Sequence, residues 1–423
     1  MKPTFRPRQS PLWRHADFLR LWSAQGVSAV GARITREGLP LAAVLSLEAP
    51  PAQLGVLAAL SLAPGLIVGL TAGGFVDRSR RRGVMVGADL ARMAVLLTVP
   101  VAAWLHLLTM AQLYVAAVLV GSASVLFEIA DHAYLPGLVG REHILDANAK
   151  LSVTDSIAEI AGPALAGALI QWLAAPLAIA VNAATYLVSA LFLGGIKARE
   201  TPPPPAQTKA HLLADLRAGA TVIRASSLLR PLFLTAATGN LFIYVFAGLY
   251  VVFAIRTLGL TPALLGVTVA VGGLSALVGA LFGPAMIRRL GIGPAYLVAA
   301  ALAAASALLI PLARGVGVGA MPFLLLAQFL GDGFGVIAGV AAASLRQSVT
   351  PPESLGRVGA VFQAAPGGLA MVGALAGGLL AGHIGIRPTL VIAALGYLAA
   401  PAWCLVSPLA RLKILPDAPD PHD

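Results

Sequence analysis

The sequence predicts an all-α membrane protein: twelve transmembrane helices in two six-helix parallel repeats. Composition, the recurrence of apolar runs and a break at the middle of the chain carry that prediction. Hydrophobic residues make up 58% of the 423 residues and charged residues only 11%, whereas a soluble domain is about one quarter charged. The mean hydropathy is +0.86. Apolar runs of about twenty residues, the length of helix that crosses a hydrocarbon core of ~30 Å, recur from one end to the other. No soluble domain is left over.

Apolar length and breaker residues place the spans at 18–46, 53–76, 84–107, 111–133, 148–173, 177–196, 231–255, 263–287, 294–313, 321–343, 357–381 and 388–409. With the N-terminus inside, 23 of the 29 Lys and Arg residues fall in inside segments and only Arg256, Arg314 and Arg387 in outside loops, with Arg33, Arg36 and Arg92 within spans. That asymmetry predicts an even number of helices with both termini cytoplasmic. The arginine-rich, lysine-poor composition points to a bacterium, hence to a multi-pass protein of its cytoplasmic (inner) membrane. The net charge of +11 is scattered between apolar runs and builds no stripe with interleaved aromatics, so it reads as topology and not as nucleic-acid binding. The single cysteine, Cys404, excludes an intrachain disulfide and a cysteine metal site. Lys2, Arg6, Arg8, Arg14 and Arg20 precede a span with no small-residue cleavage site, which predicts a retained first helix.

TPPPPAQT (Thr201 to Thr208) is a stiff polyproline stretch that divides the spans six and six. The expected organisation is a first bundle over 1–200, a linker over 201–230 and a second bundle over 231–423. In the linker, Leu212, Leu216 and Ile223 share a helical face while Lys209, Arg217 and Arg224 are polar, which suits an amphipathic helix on the inner membrane surface or a packed linker. PALAGALI (Pro163 to Ile170) and GALAGGLL (Gly373 to Leu380) stand 210 residues apart. Two halves in one orientation place a substrate path between them at the midplane.

The loop after the second span reads GGFVDRSRRR (Gly73 to Arg82), and here the chain resembles the major facilitator superfamily. Gly73, Asp77, Arg78, Arg81 and Arg82 match its loop signature, with Arg80 in place of the second glycine. That departure, together with GARITREGLPLA, ADLARM, AYLPGLV, DANAKLSVTDSIAEIAGPALAG, SLRQSVTPPESLGRV and GIRPTL, is similar to the macrolide-efflux and enterobactin-exporter-like branch. The resemblance implies the major facilitator fold, with spans one, four, seven and ten lining a cavity. It further implies proton-coupled export of drug-like, macrolide-like or siderophore-like compounds by alternating access, with a small molecule, protons and the bilayer as partners, no cofactor and a monomer. An importer or uniporter of the same fold, or a non-transporting receptor or scaffold, stays open as an alternative. In the loop, Asp77 can meet the positive N-terminal end of another helix, and the arginines face anionic lipid and nearby carboxylates. Glu128 and Asp131, at the inner end of span four, are the acidic candidates for a charge latch that holds the outward-open form. A topology signal alone is the other reading.

Ionisable groups at the centre of a span cost ~2.5–3.5 kcal/mol on insertion scales, so they persist where they pair or line a wet path. They are Arg33, Arg36, Glu37, Asp89, Arg92, Asp155 and Glu159 in the first half, and Asp332 in the second. Asp89 and Arg92 are three apart, which suits a structural ion pair. Arg33 and Glu37, four apart, are expected to pair, leaving Arg36 to find an acid on another helix, an anionic substrate or water. Glu159 leads into Gly162-Pro163, where a helix can bend and pack closely. Asp332, among Gly331, Gly333 and Gly335, falls ~17 Å into span ten, close to the midplane, and suits a proton carrier or a carboxylate bonded to local backbone. Asn240 reaches a similar depth in span seven as a polar substrate contact or a helix–helix hydrogen bond. No Walker-type phosphate loop, HExxH or GxSxG occurs, so neither nucleotide-driven transport nor a hydrolase is indicated. The coupling energy is expected from an ion gradient.

Overall fold

The computed structural model describes residues 11–198, 200 and 212–414. The Thr201 to Thr208 proline stretch, Lys209, Lys2, Arg6 and Arg8 lie outside the described residues. All regular structure among the described residues is helical. The spans are α1 (Ala16–Leu45), α2 (Pro51–Thr71), α3 (Arg81–Trp104), α4 (Met110–Val139), α5 (Ile144–Leu173) and α6 (Ala175–Gly194), then α7 (Leu229–Val252), α8 (Pro262–Leu290), α9 (Ile292–Ser306), α10 (Met321–Val349), α11 (Leu355–Ile384) and α12 (Ile386–Ala399). Eleven helical segments are long and apolar enough to cross a membrane. The twelfth, α1, has the length, at 30 residues, but carries Asp17, Arg20, Arg33, Arg36 and Glu37.

Several helices outrun the apolar runs that announce them: α4 reaches Val139, not 133, and α10 reaches Val349, not 343. Backbone hydrogen bonding does not stop where the hydrocarbon does, and these helices end at chain breakers, Gly140 with φ +76° and Pro351. Spans nine and twelve are instead interrupted. α9 ends at Ser306 and resumes as the turn Leu309–Leu312, and α12 ends at Ala399 before Pro401, which has no N–H to continue it. Trp104 and Trp172, 80% and 78% exposed, stand at the loop ends of their helices where an aromatic belt belongs.

Packing repeats across the two halves. In the first six helices α1 packs on α5 and α6, α2 on α4, and α3 on α4; in the last six α7 packs on α11 and α12, α8 on α10, and α9 on α10. The halves meet along α2 with α11 and α5 with α8, two seams that the repeat exchanges. The helix Leu212–Ala225 docks on α11, with Leu216 and Ile223 against Val358 and Val361 and Asp215 bonded to Arg357 at 3.1 Å. It is therefore a packed linker with an outward polar face.

Both seams are built from bare backbone on the face away from the termini. A Cβ added at Gly55 of α2 would lie 2.6 Å from the Ala374 carbonyl and 2.9 Å from Gly378 Cα; one at Gly266 of α8 would run into the Pro163 carbonyl. Gly378 abuts the Pro51 carbonyl and Gly167 the Pro262 carbonyl. The glycine-rich stretches of α5 and α11 thus meet a second internal repeat, PAQLGV (Pro51 to Val56) and PALLGV (Pro262 to Val267). Around these seams one hydrophobic core joins both halves, including Leu41, Leu54 and Ile170 with Leu249, Phe253 and Leu265. Hydrogen bonds between the halves also lie on this far face: Arg256, in a π-helical turn after α7, donates to the Val44 and Ala49 carbonyls at 3.0 Å each, and Ala263 N donates to Gln171 Oε1 at 3.2 Å. Toward the termini the described residues form separate cores, one within the first six helices and two that include none of them.

A side chain at either seam should part the far ends. Gly55→Leu and Gly266→Leu are each expected to raise the labelling rate of a cysteine placed at the buried Leu41 by about tenfold, the equivalent of ~1.4 kcal/mol in the closed-to-open ratio. Membrane-impermeant maleimide labelling in vesicles measures this, and an unchanged rate would show that the seams do not hold the face shut.

Candidate functional site: a charged central cavity

Four charges gather where α1 faces α5. Arg33 pairs with Glu159, and Arg36 reaches the same carboxylate, Nη2 lying 3.1 Å from Oε1, while its Nε stands 3.4 Å from Glu37 Oε1. The expected Arg33–Glu37 pair along α1 is therefore not formed: Glu159 holds both arginines, and Glu37 sits with Arg36. Gly162 gives the reason. A Cβ there would lie 2.6 Å from Arg33 Cγ, so the arginine crosses the bare backbone of α5 and meets Glu159 one turn away. On its other side, α5 turns the Glu159 carbonyl to Gly273 of α8, 2.9 Å from where a Cβ would stand. Asp155 is exposed and makes no ion pair among the described residues.

Two cavities share Arg36. One, of about 570 Å³, is bordered by Arg36 and Glu159 from the first half and by Asp332, Gln328, Ser306 and Tyr397 from the second. The other, of about 460 Å³, is apolar, with Leu39, Leu54, Leu57, Val120, Tyr186 and Tyr244 among its walls. Asp332 is exposed to the first cavity and has no hydrogen bond or ion pair among the described residues. Gly272 of α8 leaves the space its carboxylate occupies, since a side chain there would collide with Oδ2. Lower on the same seam, Ser275 donates to the Phe329 carbonyl and Gly279 abuts Gly333. Asn240 lies outside both cavities, in an adjoining space of about 190 Å³, and donates to the Ala236 carbonyl of its own helix at 2.9 Å.

Asp89 and Arg92 are bonded to each other on α3, 0% and 4% exposed at the side chain. Ser189 Oγ donates to Asp89 Oδ2 at 2.7 Å, and the guanidinium lies over the rings of Phe127 and Tyr186, 4.6 and 4.2 Å from their centroids. Tyr186 also borders the apolar cavity, so this pair backs its wall without reaching into it.

At the terminal face, Gly73 and Asp77 bound a short helix, Gly73–Asp77. Asp77 and Arg78 are exposed, and Asp77 makes no ion pair among the described residues. Arg81 donates to the Ala133 carbonyl and Arg82 Nε to that of Leu193, each at 2.9 Å, and Arg82 also bonds the Gly194 carbonyl. The acidic partners expected for these arginines are not used: Glu128 is exposed without an ion pair, and Asp131 accepts from Gln25 Nε2. Arg82 instead caps the last carbonyls of α6, where the helix dipole is negative, and Arg81 ties α3 to α4 short of its last turn. The N-terminus of α3 takes Glu200, which accepts from the Arg81 and Arg82 amides at 2.6 and 3.3 Å.

Sequence reasoning missed Gln25, Glu200, Ser189, Gln328 and Tyr397. Gln25 and Ser189 each bond a carboxylate on another helix and Glu200 the first amides of α3, and no spacing along the chain marks that. Two repeats of helices with a polar cavity at the seam define a class, the polytopic helical transporters. The sequence pattern of the Major Facilitator Superfamily matches residues 21–365, and the chain belongs to that superfamily. It is 26% identical over 393 residues to the uncharacterized MFS-type transporter YfiS of Bacillus subtilis (strain 168), covering 89% of this chain and 90% of that protein. It is 29% identical over 321 residues to the uncharacterized MFS-type transporter y4rN of Sinorhizobium fredii (strain NBRC 101917 / NGR234), covering 73% and 75%. Among solved structures it is similar to a bacterial homologue of the iron transporter ferroportin in an inward-facing state, with a TM-score of 0.72, 18% identity and 92% and 98% of the chains covered. It is also similar to the nucleoside transporter NupG, with a TM-score of 0.71, 12% identity and 92% and 98% covered. The family and these relatives are transporters, not enzymes, and the chain is a multi-pass membrane transporter.

Burial separates the two charge clusters energetically. Asp89→Ala strands a buried guanidinium and is expected to cost ~3–5 kcal/mol. Glu159→Ala, whose partners are partly solvated, is expected to cost about 1–2 kcal/mol. Thermal unfolding in detergent should rank Asp89→Ala as the less stable, and the reverse order would overturn this reading of the two sites.

Proposed function

We propose that this transporter is a proton-coupled exporter of amphipathic or bulky compounds that works by alternating access in a bacterial inner membrane, with both termini cytoplasmic. The observation that carries the reading is the cavity between the halves, shut on the far face and holding Glu159 in competition between two arginines beside an unpaired Asp332. The excess of Lys and Arg on the terminal side supports a cytoplasmic placement of that face. A cavity closed on the far side then loads from the cytoplasm, which is the first step of export. The likeness of GGFVDRSRRR to the macrolide-efflux and enterobactin-exporter branch supports a drug-like, macrolide-like or siderophore-like cargo.

In this reading Arg33, Arg36, Glu37, Glu159 and Asp332 handle protons and charge, and Asn240 lies beside the path. Gly73, Asp77, Arg78, Arg81 and Arg82, with Glu128 and Asp131, form the latch that closes the terminal face in the opposite state. Asp77 and Glu128, without ion pairs among the described residues, suit a latch that is released when the far face is sealed.

Cells carrying the protein should tolerate at least one amphipathic compound better than cells without it, and a proton uncoupler should abolish the difference. Glu159→Gln and Asp332→Asn should flatten the pH dependence of efflux at unchanged expression. Efflux that survives the uncoupler, or accumulation of the compound inside right-side-out vesicles, would count against proton-coupled export.

A further inference from the structure

The charges around the cavity do not balance. Arg33 and Arg36 are matched by Glu159 and Glu37, and Asp155 borders neither cavity. Asp332 remains without an ion pair among the described residues. An anionic ligand would have to compete with Glu159 for Arg36 and would stand beside the like charges of Glu159 and Asp332. A cationic ligand at Asp332 displaces nothing but a proton or water.

The surroundings of Asp332 fit such a ligand in shape as well. Gly272, Gly331 and Gly335 keep side chains away from the carboxylate, and Tyr397, Ile243 and Val269 offer apolar surface. Past Arg36 the apolar chamber continues the site, and each cavity is of the size that takes a small organic molecule. The groups that face Asp332 are Arg36 from α1, Glu159 from α5, Tyr250 from α7, Tyr397 from α12 and Gln328 on its own helix. α8 and α9 present no charged side chain to this space among the described residues, lining it with Val269, Gly272, Gly273 and Ala276 and with Ala303 and Ser306. Arg36 is therefore the one cation nearby among the described residues, and Glu159 already engages it.

We propose that the transporter takes monovalent organic cations with a bulky apolar body, the cationic group on Asp332 and the body reaching past Arg36 into the apolar chamber, and that proton and cation compete for this one carboxylate. The inference rests on the proposed export function and adds its substrate class and an electroneutral exchange at a single residue.

Binding of tetraphenylphosphonium to the purified full-length protein tests it, with tetraphenylborate as the anion of the same shape. Wild type should bind the phosphonium saturably, prefer it to the borate, and release about one proton per cation bound at the pH where release is greatest between about pH 5 and about pH 9. Asp332→Asn should lose at least about tenfold in affinity together with the proton release, as expected for removing one partner of a desolvated charge pair. Asp332→Glu keeps the charge and should retain binding within about threefold, which separates charge from folding. No saturable phosphonium binding by the wild type, equal affinity in Asp332→Asn, or preference for the borate would overturn the proposal. Efflux of another compound that stays uncoupler-sensitive in the face of those results would leave the export reading standing, whereas loss of uncoupler sensitivity alone would sink export coupling and not the cation site.

Discussion

The structure depends on how closely the backbone of α5 can be approached from both sides. Lipid tails supply no hydrophobic drive between helices, so association rests on tight packing and on polar pairs that have no better partner. α5 provides both within nine residues. Glu159 collects two arginines of α1, Gly162 makes room for the first of them, and Gly167 admits α8. Moving α5 outward by the width of a methyl group would loosen the charge cluster and the seam together. The far-face closure and the midplane electrostatics are therefore set by one helix.

Physical consequences follow from placing that helix at the boundary between the halves. The charges of α1 are satisfied within the first half, while the carboxylate of α10 faces them across the cavity without a partner. A motion that separates α5 from α8 must also change the distance from Arg36 to Asp332. The conformation of the seam and the charges that line the cavity are then linked through geometry alone, with no long-range wire required. Asp89 and Arg92 have a different place: fully enclosed by Ser189, Phe127 and Tyr186, they fix the wall of the first half while the seam moves.

Much of the fold was legible because span length and the hydrocarbon thickness are the same quantity. The apolar runs located all twelve helices, and errors arose where the helix rule and the membrane rule part, as at the polar extensions of α4 and α10. The site was legible in its residue types and not in its pairs. Arg33 and Glu37 had the right spacing for a pair on one helix, but Glu159 came closer because Gly162 let the arginine across α5. Spacing along a chain limits which residues share a face; it says nothing about which neighbouring helix presents a competing carboxylate. The PAQLGV and PALLGV repeat was present in the sequence all along, yet its meaning lay in the opposing glycines of α5 and α11. Gln25, which serves a carboxylate on α4, and Glu200, which takes the first amides of α3, had no local signature.

Beside the core that joins Leu41, Leu54 and Ile170 to Leu249, Phe253 and Leu265, the closest contacts at the two helix seams of the far face are made by glycine, alanine and main-chain carbonyls. Such surfaces have almost no rotamers to freeze. Their contact forms and parts without the ordering entropy that interlocking leucines or lysines would impose. A seam of this kind behaves as a smooth bearing: it holds through many weak contacts and releases without a side-chain search, and the twofold repetition of PA-x-LGV makes both bearings alike, so that neither seam should lag behind the other as the halves rock.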